Sequence, residues 1–270
     1  MSLRLVSIWR YPAKSMGGSE LASAMIEPRG IAGDRRWLMV TAEGRFLTRR
    51  ELGVMALLRA DPAPGGVVLT HRDGSALAVA EPLAGASLGV TIWGDPVETI
   101  DAGDDAAHWL SARVGRAVRL VHMPDAVVRP VDPEFARAGD QVSFADGFPL
   151  LITVVESLDA LNRELPQPIT MDRFRPNLVI AGATPFAEDA WTTLRIGAVS
   201  VRMANPCTRC VMTTQDPATG EVVTPMEPLR TLKAMGRVMP GPRAESIFGV
   251  NAIPEGSAVI RVGDAVEVLG

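Results

Sequence analysis

The chain has 270 residues, 47% of them hydrophobic, enough to bury a large core in one large domain or two small ones. Its formal charge of −4 and pI near 5.5 argue against a general nucleic-acid binder, which carries a basic excess, so any anionic ligand needs a local basic site. No run approaches the roughly eighteen apolar residues of a membrane span, and "MSLRLVSIWRYPAKS" is interrupted by Arg4, Arg10, Pro12 and Lys14, so neither a signal peptide nor a transmembrane segment is expected. Two cysteines are too few for a disulfide framework, and the expected location is cytoplasmic.

In chain order, short β-like runs come first: "LRLVSIWRYP", then "RRWLMVTAEGRFLT" with a hairpin turn at residues 42–44, then "GGVVLTHRDGSALAVA". A helix follows in "DAAHWLSARVG", its apolar residues at helical spacing and its end at Gly115. The run "AVRLVHMP" leads into a polar, proline-bearing connection between residues 118 and 133. A second helix is expected in "SLDALNREL", with Ser157 as N-cap and Pro166 as stop. "NLVIAG", "LRIGAVSVRMANP" turning at Gly197 and Ala198, a helical "PMEPLRTLKAMG", and "AVIRVGDAVEVLG" complete the chain. The expected fold is mainly β with peripheral helices (α+β), a barrel or sandwich, divided into residues 1–120 and 121–270.

The two cysteines lie together in "NPCTRC", residues 205–210. A thioredoxin-type switch needs the pair at the start of a helix, but "VMTTQDPATGE" is β-branched and then turns. Structural zinc needs two more ligands, and His71, His108 and His122 are scattered. Burial as two small hydrophobes is the bland alternative; against it stands Arg209 between them, since an arginine is seldom buried without an anion.

Further basic residues, with hydroxyls beside them, cluster in the first fifty positions: Lys14 with Ser15 in "YPAKS", Arg35 and Arg36 in "GDRRW", Arg49 and Arg50 with Thr48 in "LTRRE". Such groups suit a phosphate or another oxyanion, although exposed hairpin arginines are usually just solvated. "MDRFRPNLVIAG" adds Arg173, Arg175 and Asn177 beside a strand. Asp101, Asp104 and Asp105 precede a helix without EF-hand spacing and read as capping chemistry.

Five stretches in order, "YPAKS", "GDRRWLMV", "FRPNLVIAG", "NPCTRCVMTTQDPATGE" and "FGVNAIPEGSAVIRVGDAVEVLG", together resemble the MOSC family. The likeness is greatest to members with an N-terminal MOSC β-barrel extension, such as the mitochondrial amidoxime-reducing component and YcbX-type proteins. The resemblance implies a MOSC β-barrel plus an N-terminal MOSC β-barrel-like subdomain, with a molybdenum cofactor in the cleft between them. In the family's C-x-R-C pattern the second cysteine ligates molybdenum, which makes Cys210 the metal-binding and catalytic residue and Cys207 a neighbour. By the same matching, Lys14, Ser15, Arg35, Asp146, Gly147, Arg175 and Asn177 contact the cofactor, with Thr208 and Arg209 beside the ligand.

The implied activity is reduction of N-hydroxylated or N-oxygenated small molecules, oxygen leaving as water. The family also includes the C-terminal domain of molybdenum-cofactor sulfurases, so a cofactor or sulfur carrier is the alternative, and a barrel that has lost its cofactor is a third. Unlike YcbX-type relatives, the sequence shows no ferredoxin-like extension and no cysteine set for an iron–sulfur cluster, nor the membrane-anchoring N-terminus of mitochondrial members. Electrons are therefore expected from a separate ferredoxin- or cytochrome-type protein with its reductase.

Overall fold

The computed structural model describes residues 2–270. It is mainly β, with short helices at the periphery. The largest sheet has eight strands in the order Ser19–Leu21, Arg4–Arg10, Leu178–Ala181, Leu150–Val154, Ile247–Glu255, Val199–Thr208, Thr193–Ile196 and Val266–Val268. Its first two strands come from the start of the chain and the rest from the second half. A four-stranded sheet orders Trp37–Val40, Arg119–His122, Asp95–Asp101 and Ser87–Ile92, and a three-stranded meander runs Leu58–Ala63, Gly66–His71 and Ala76–Ala80. Ser23–Glu27 pairs with both Gly30–Ile31 and Val259–Arg261. Strands from the two ends of the sequence thus interleave.

Local irregularities show how the side chains are aimed. In Arg4–Arg10, strict alternation would put Leu5 and Ile8 on opposite faces, yet both are fully buried in the core of the large sheet. A register shift between Leu5 and Ser7 absorbs the odd residue. Burying Ile8 in this way contributes about 1.5–3 kcal/mol. The strand Val199–Thr208 shifts register twice against Ile247–Glu255, between Met203 and Asn205 and, at Cys207 itself, between Pro206 and Thr208. Opposite the second shift, Gly249 has φ +73°, and a Cβ there would stand 2.7 Å from the Ile152 carbonyl oxygen, so only glycine fits.

The hairpin expected at residues 42–44 is present: Gly44 N–H donates to the Thr41 carbonyl and Val40 bridges Phe46. Gly197 and Ala198 form the two-residue link between Thr193–Ile196 and Val199–Thr208. Helix α1 (Asp104–Val114) ends at Gly115 in the left-handed conformation, and Asp101 and Asp104 both pair with Arg119. Helix α2 (Val155–Glu164) begins two residues before Ser157, so Ser157 is not its cap. Its buried hydroxyl instead donates to Glu188 Oε2 at 2.9 Å and accepts the Phe186 N–H at 2.8 Å, tying α2 to the turn Ala187–Ala190. Helix α3 (Leu229–Ala234) is shorter than the segment expected. The strands Leu150–Val154 and Ile247–Glu255, central to the large sheet, are buried along nearly their whole length. They therefore lack the alternation that marks a half-buried strand.

His122 is 3% exposed, its ring 4.7 Å from that of Trp37, and burial followed by the charge of Arg36 holds its pKa down to about 4. Above pH 6.5 it is neutral in both folded and unfolded chains. As pH falls from 6.5 towards 4 only the unfolded chain takes up the proton, so stability is lost across that window, on the order of 3 kcal/mol. His122→Phe is expected to remove this component; urea unfolding at stepped pH values, with an unchanged slope in the variant, would contradict it. Among the described residues no helix is long and apolar enough to cross a membrane.

Candidate functional site

One cleft of about 460 Å³ gathers all ten residues that the motifs single out: Lys14, Ser15, Arg35, Asp146, Gly147, Arg175, Asn177, Thr208, Arg209 and Cys210. They come from five separate parts of the chain. Lys14 and Ser15 sit in the turn after the first strand, which Lys14 N–H fixes by donating to the Trp37 carbonyl at 2.9 Å. Arg35 is placed by its own N–H on the Tyr11 carbonyl, and its carbonyl accepts from Phe144, at the head of the loop that carries Asp146 and Gly147. Arg175 follows the turn Met171–Phe174, and Asn177 enters the strand Leu178–Ala181.

Among the described residues seven non-glycine residues have positive φ, and four of them, Ser15, Arg35, Trp93 and Arg175, line this cleft. Such conformations cost of order 1–3 kcal/mol each and persist where the surroundings over-determine them, commonly at ligand sites. At three of the four, Arg35, Trp93 and Arg175, the side chain brought to the cleft is cationic or aromatic.

The lining carries six cationic side chains, Lys14, Arg35, Arg50, Arg173, Arg175 and Arg209, against two carboxylates, Asp146 and Glu245. That local excess contrasts with a chain of net charge −4. Lys14 Nζ, buried, donates to the Phe144 carbonyl at 2.7 Å and pairs with Asp146; burial pulls its pKa down while Asp146 opposes this. Partial desolvation in the cleft works to raise the pKa of Asp146, whose side chain is 64% exposed, but the charge and hydrogen bond of Lys14, with Arg50 and Arg35 behind, outweigh it and hold the carboxyl well below the usual range. Arg35 pairs with buried Asp34 and donates to Asn177 Oδ1 at 3.2 Å and to the Arg175 carbonyl at 3.3 Å.

Arg175 differs. Its Nη1 donates to the Met16 carbonyl at 2.6 Å, whereas Nη2 is buried and has no partner among the described residues. Burial and then the charge of Arg35 pull its pKa down to about 9, so it is still cationic at neutral pH without a carboxylate of its own. A guanidinium with a buried nitrogen left in this state favours an anion beside it. Arg209 Nε is likewise buried and unpartnered.

Cys207 lies on the strand Val199–Thr208, and Cys210 begins the single 3₁₀ turn Val211–Thr214. The Cys210 carbonyl accepts from both the N–H and the hydroxyl of Thr213, at 3.1 and 2.9 Å. Both cysteines are partly buried, free thiols lining the cleft. The guanidinium between them reaches the first: Arg209 Nη1 stands 2.8 Å from Cys207 Sγ, and Nη2 donates to the Phe174 carbonyl at 2.6 Å.

Several details were not legible in the motifs. Asn177 lines the cleft, but its side chain is bound to protein, accepting from Arg35 and from the Leu151 N–H and donating to the Trp9 carbonyl. Thr48, Arg50 and Arg173 join the cleft, whereas Arg36 turns away to Asp125 and Arg49 to Gln215 and the Asp216 carbonyl. Arg49, with Arg173 on the Thr214 carbonyl, ties the segment after Cys210 to other parts of the fold. Trp93 was missed altogether. It sits at φ +54° in the two-residue turn between Ser87–Ile92 and Asp95–Asp101, and its Nε1–H donates to Asp146 Oδ1 at 3.3 Å under the Arg50 guanidinium. The only local signal is a tryptophan before Gly94, where turns favour Asn or Asp.

The MOSC domain family matches residues 139–267, and the MOSC N-terminal beta barrel domain matches residues 2–117. Mitochondrial amidoxime-reducing component 1 of Homo sapiens is 32% identical over 98% of this chain and 83% of its own length. Mitochondrial amidoxime reducing component 2 of Homo sapiens is 31% identical over 97% and 82%. The molybdenum cofactor sulfurase of Oryza sativa subsp. japonica is 30% identical over 92% of this chain, but only 32% of that longer protein is covered. With both parts of its length matched in order, the chain belongs to the MOSC family, among the members that join a MOSC domain to an N-terminal MOSC β-barrel domain.

Proposed function

We propose that the cleft holds a molybdenum cofactor and that the protein reduces N-hydroxylated or N-oxygenated small molecules with electrons from a separate donor protein. The observation that carries this reading is Arg175, half-buried beside Arg35, with one buried guanidinium nitrogen, Nη2, that no protein group meets among the described residues. The residues fit the group at both ends. A phosphate monoester of about two negative charges answers the two arginines, and a cysteine thiolate is a soft donor suited to molybdenum. When bound, the cofactor supplies two-electron redox chemistry, an N–OH group taking two electrons and two protons to give N–H and water.

The chain's own residues then divide the work. Arg35 and Arg175 bind the phosphate, and Asn177 orients Arg35 through its Oδ1. Lys14, Ser15, Asp146 and Gly147 form the facing wall; Asp146, kept ionised by Lys14, accepts hydrogen bonds and holds no proton to donate at neutral pH. Cys210 provides the metal thiolate, flanked by Thr208 and Arg209. Only two cysteines are present, so an iron–sulfur relay, which needs several thiolates, belongs to the donor, a ferredoxin- or cytochrome-type protein. We place the protein in the cytoplasm. We keep the division into residues 1–120 and 121–270 as part of the proposal, supported by the two family matches, although strands pair across it.

The test is metal and pterin analysis of protein made in a cofactor-competent host, with reduction of N-hydroxylated substrates by a chemical reductant. Molybdenum and pterin near one per chain with turnover are expected; saturating cofactor without turnover would reject the reductase. The sulfurase relative favours a second reading, a cofactor or sulfur carrier. Cyanolysable sulfur on the purified protein, without reductase activity, would select it.

A further inference from the structure

We infer that Tyr11 is a positioning residue whose ring allows Arg35 and Arg175 to stand together with one charge unanswered, ready for a phosphate; this rests on the cofactor reading above. Tyr11 is 2% exposed. The Arg35 guanidinium carbon lies 4.7 Å and that of Arg175 4.1 Å from its ring centroid, so one aromatic ring carries both cations. Two guanidiniums this close repel, and Asp34, the nearby carboxylate, is engaged by Arg35 and by the Tyr11 N–H at 2.7 Å. The ring offers what a second carboxylate would offer, attraction for a cation, without an anion that would compete with the ligand for Arg175.

The phenol hydroxyl takes no part. It is buried without a partner, and burial drives its pKa up, so Tyr11 acts as a neutral ring. The position of that ring is tightly prescribed. The Tyr11 carbonyl accepts the Arg35 N–H at 2.8 Å, and Gly18 packs on the ring so closely that a Cβ would fall 2.3 Å from Tyr11 Cδ1. A residue that merely filled the core would need shape and apolar surface; one that holds two cations needs an electron-rich face.

The experiment uses the full chain, free of cofactor, with inorganic phosphate as probe in calorimetric titrations at low ionic strength. Arg175→Met locates the binding, which it should abolish. Tyr11→Phe is expected to bind phosphate within about twofold of the parent, and Tyr11→Leu about tenfold more weakly. Because leucine could also impair folding, position 11 is further occupied by mono-, di- and trifluorinated phenylalanine, which keep the shape and progressively drain the ring face. Affinity should fall stepwise along that series. Equal affinity across the fluorinated series, or a loss in Tyr11→Phe as large as in Tyr11→Leu, would overturn the role of the ring while leaving the cofactor site intact. A parent protein that binds no phosphate, or an Arg175→Met variant that binds it undiminished, would overturn the phosphate site and the Tyr11 role with it.

Discussion

Cys210→Ala is expected to lose its molybdenum and to fall to background activity, while Cys207→Ser keeps most of both. The asymmetry rests on the family's C-x-R-C pattern, which assigns the metal to the second cysteine, and on what the first sulfur meets. Cys207 Sγ is held by Arg209 Nη1 at 2.8 Å, and a serine oxygen can accept the same donor, so Cys207→Ser preserves the contact and removes only a polarisable atom. Cys210 stands at the start of a turn with its carbonyl clamped twice by Thr213, which fixes the backbone whatever the side chain is. Alanine there leaves that clamp unchanged and deletes the soft donor to which the proposed site assigns the metal. Metal content by mass spectrometry and turnover with a chemical reductant measure both variants. Full molybdenum in Cys210→Ala would reject the assignment, and equal losses in the two variants would make the pair, not one sulfur, the functional unit.

Arg175→Met should move function and stability in opposite directions. Methionine is unbranched like arginine, so the left-handed φ of +54° costs the same, and the side chain still fills the space over Tyr11. What disappears is a half-buried cation with one buried nitrogen unpartnered and Arg35 as neighbour. Its removal is expected to stabilise the cofactor-free chain by about 1–3 kcal/mol, the usual penalty of an unsatisfied buried polar group. It should weaken cofactor binding by about 2–5 kcal/mol, the cost of truncating one member of a buried charge pair. Thermal unfolding of cofactor-free protein and cofactor retention on gel filtration report the two effects separately. A cofactor-free variant less stable than the parent would mean that Arg175 serves the fold and not a ligand.

Much of the architecture was readable. The hairpins at residues 42–44 and at Gly197 and the C-terminal stop of α1 at Gly115 follow from local turn and cap chemistry, which depends on residues adjacent in sequence, whereas Asp101 and Asp104, expected to cap α1, make no side-chain cap and pair with Arg119. The strands Leu150–Val154 and Ile247–Glu255 were not readable as strands. Buried on both faces, they show no period-two pattern, and only their neighbours in the sheet mark them. Ser157 misled for a related reason: a serine near a helix start looks like a cap, but buried Glu188, 31 residues away, captures its hydroxyl.

For the candidate site, sequence alone supplied the residue types, their order, and through the family motifs a set of positions that proved to share one cleft. It also showed that an acidic chain concentrates its unusual cations in short, separate segments. Only the tertiary structure decided which of those cations are free to act. Arg36 and Arg49 are spent on protein partners, Arg35 is half spent on Asp34, and Arg175 is left with a bare nitrogen. The physical reason is that a charge's availability depends on the groups within a few ångströms of it, and for these arginines many of those groups come from distant parts of the chain: Met16 against Arg175, Asp216 against Arg49, Phe174 against Arg209.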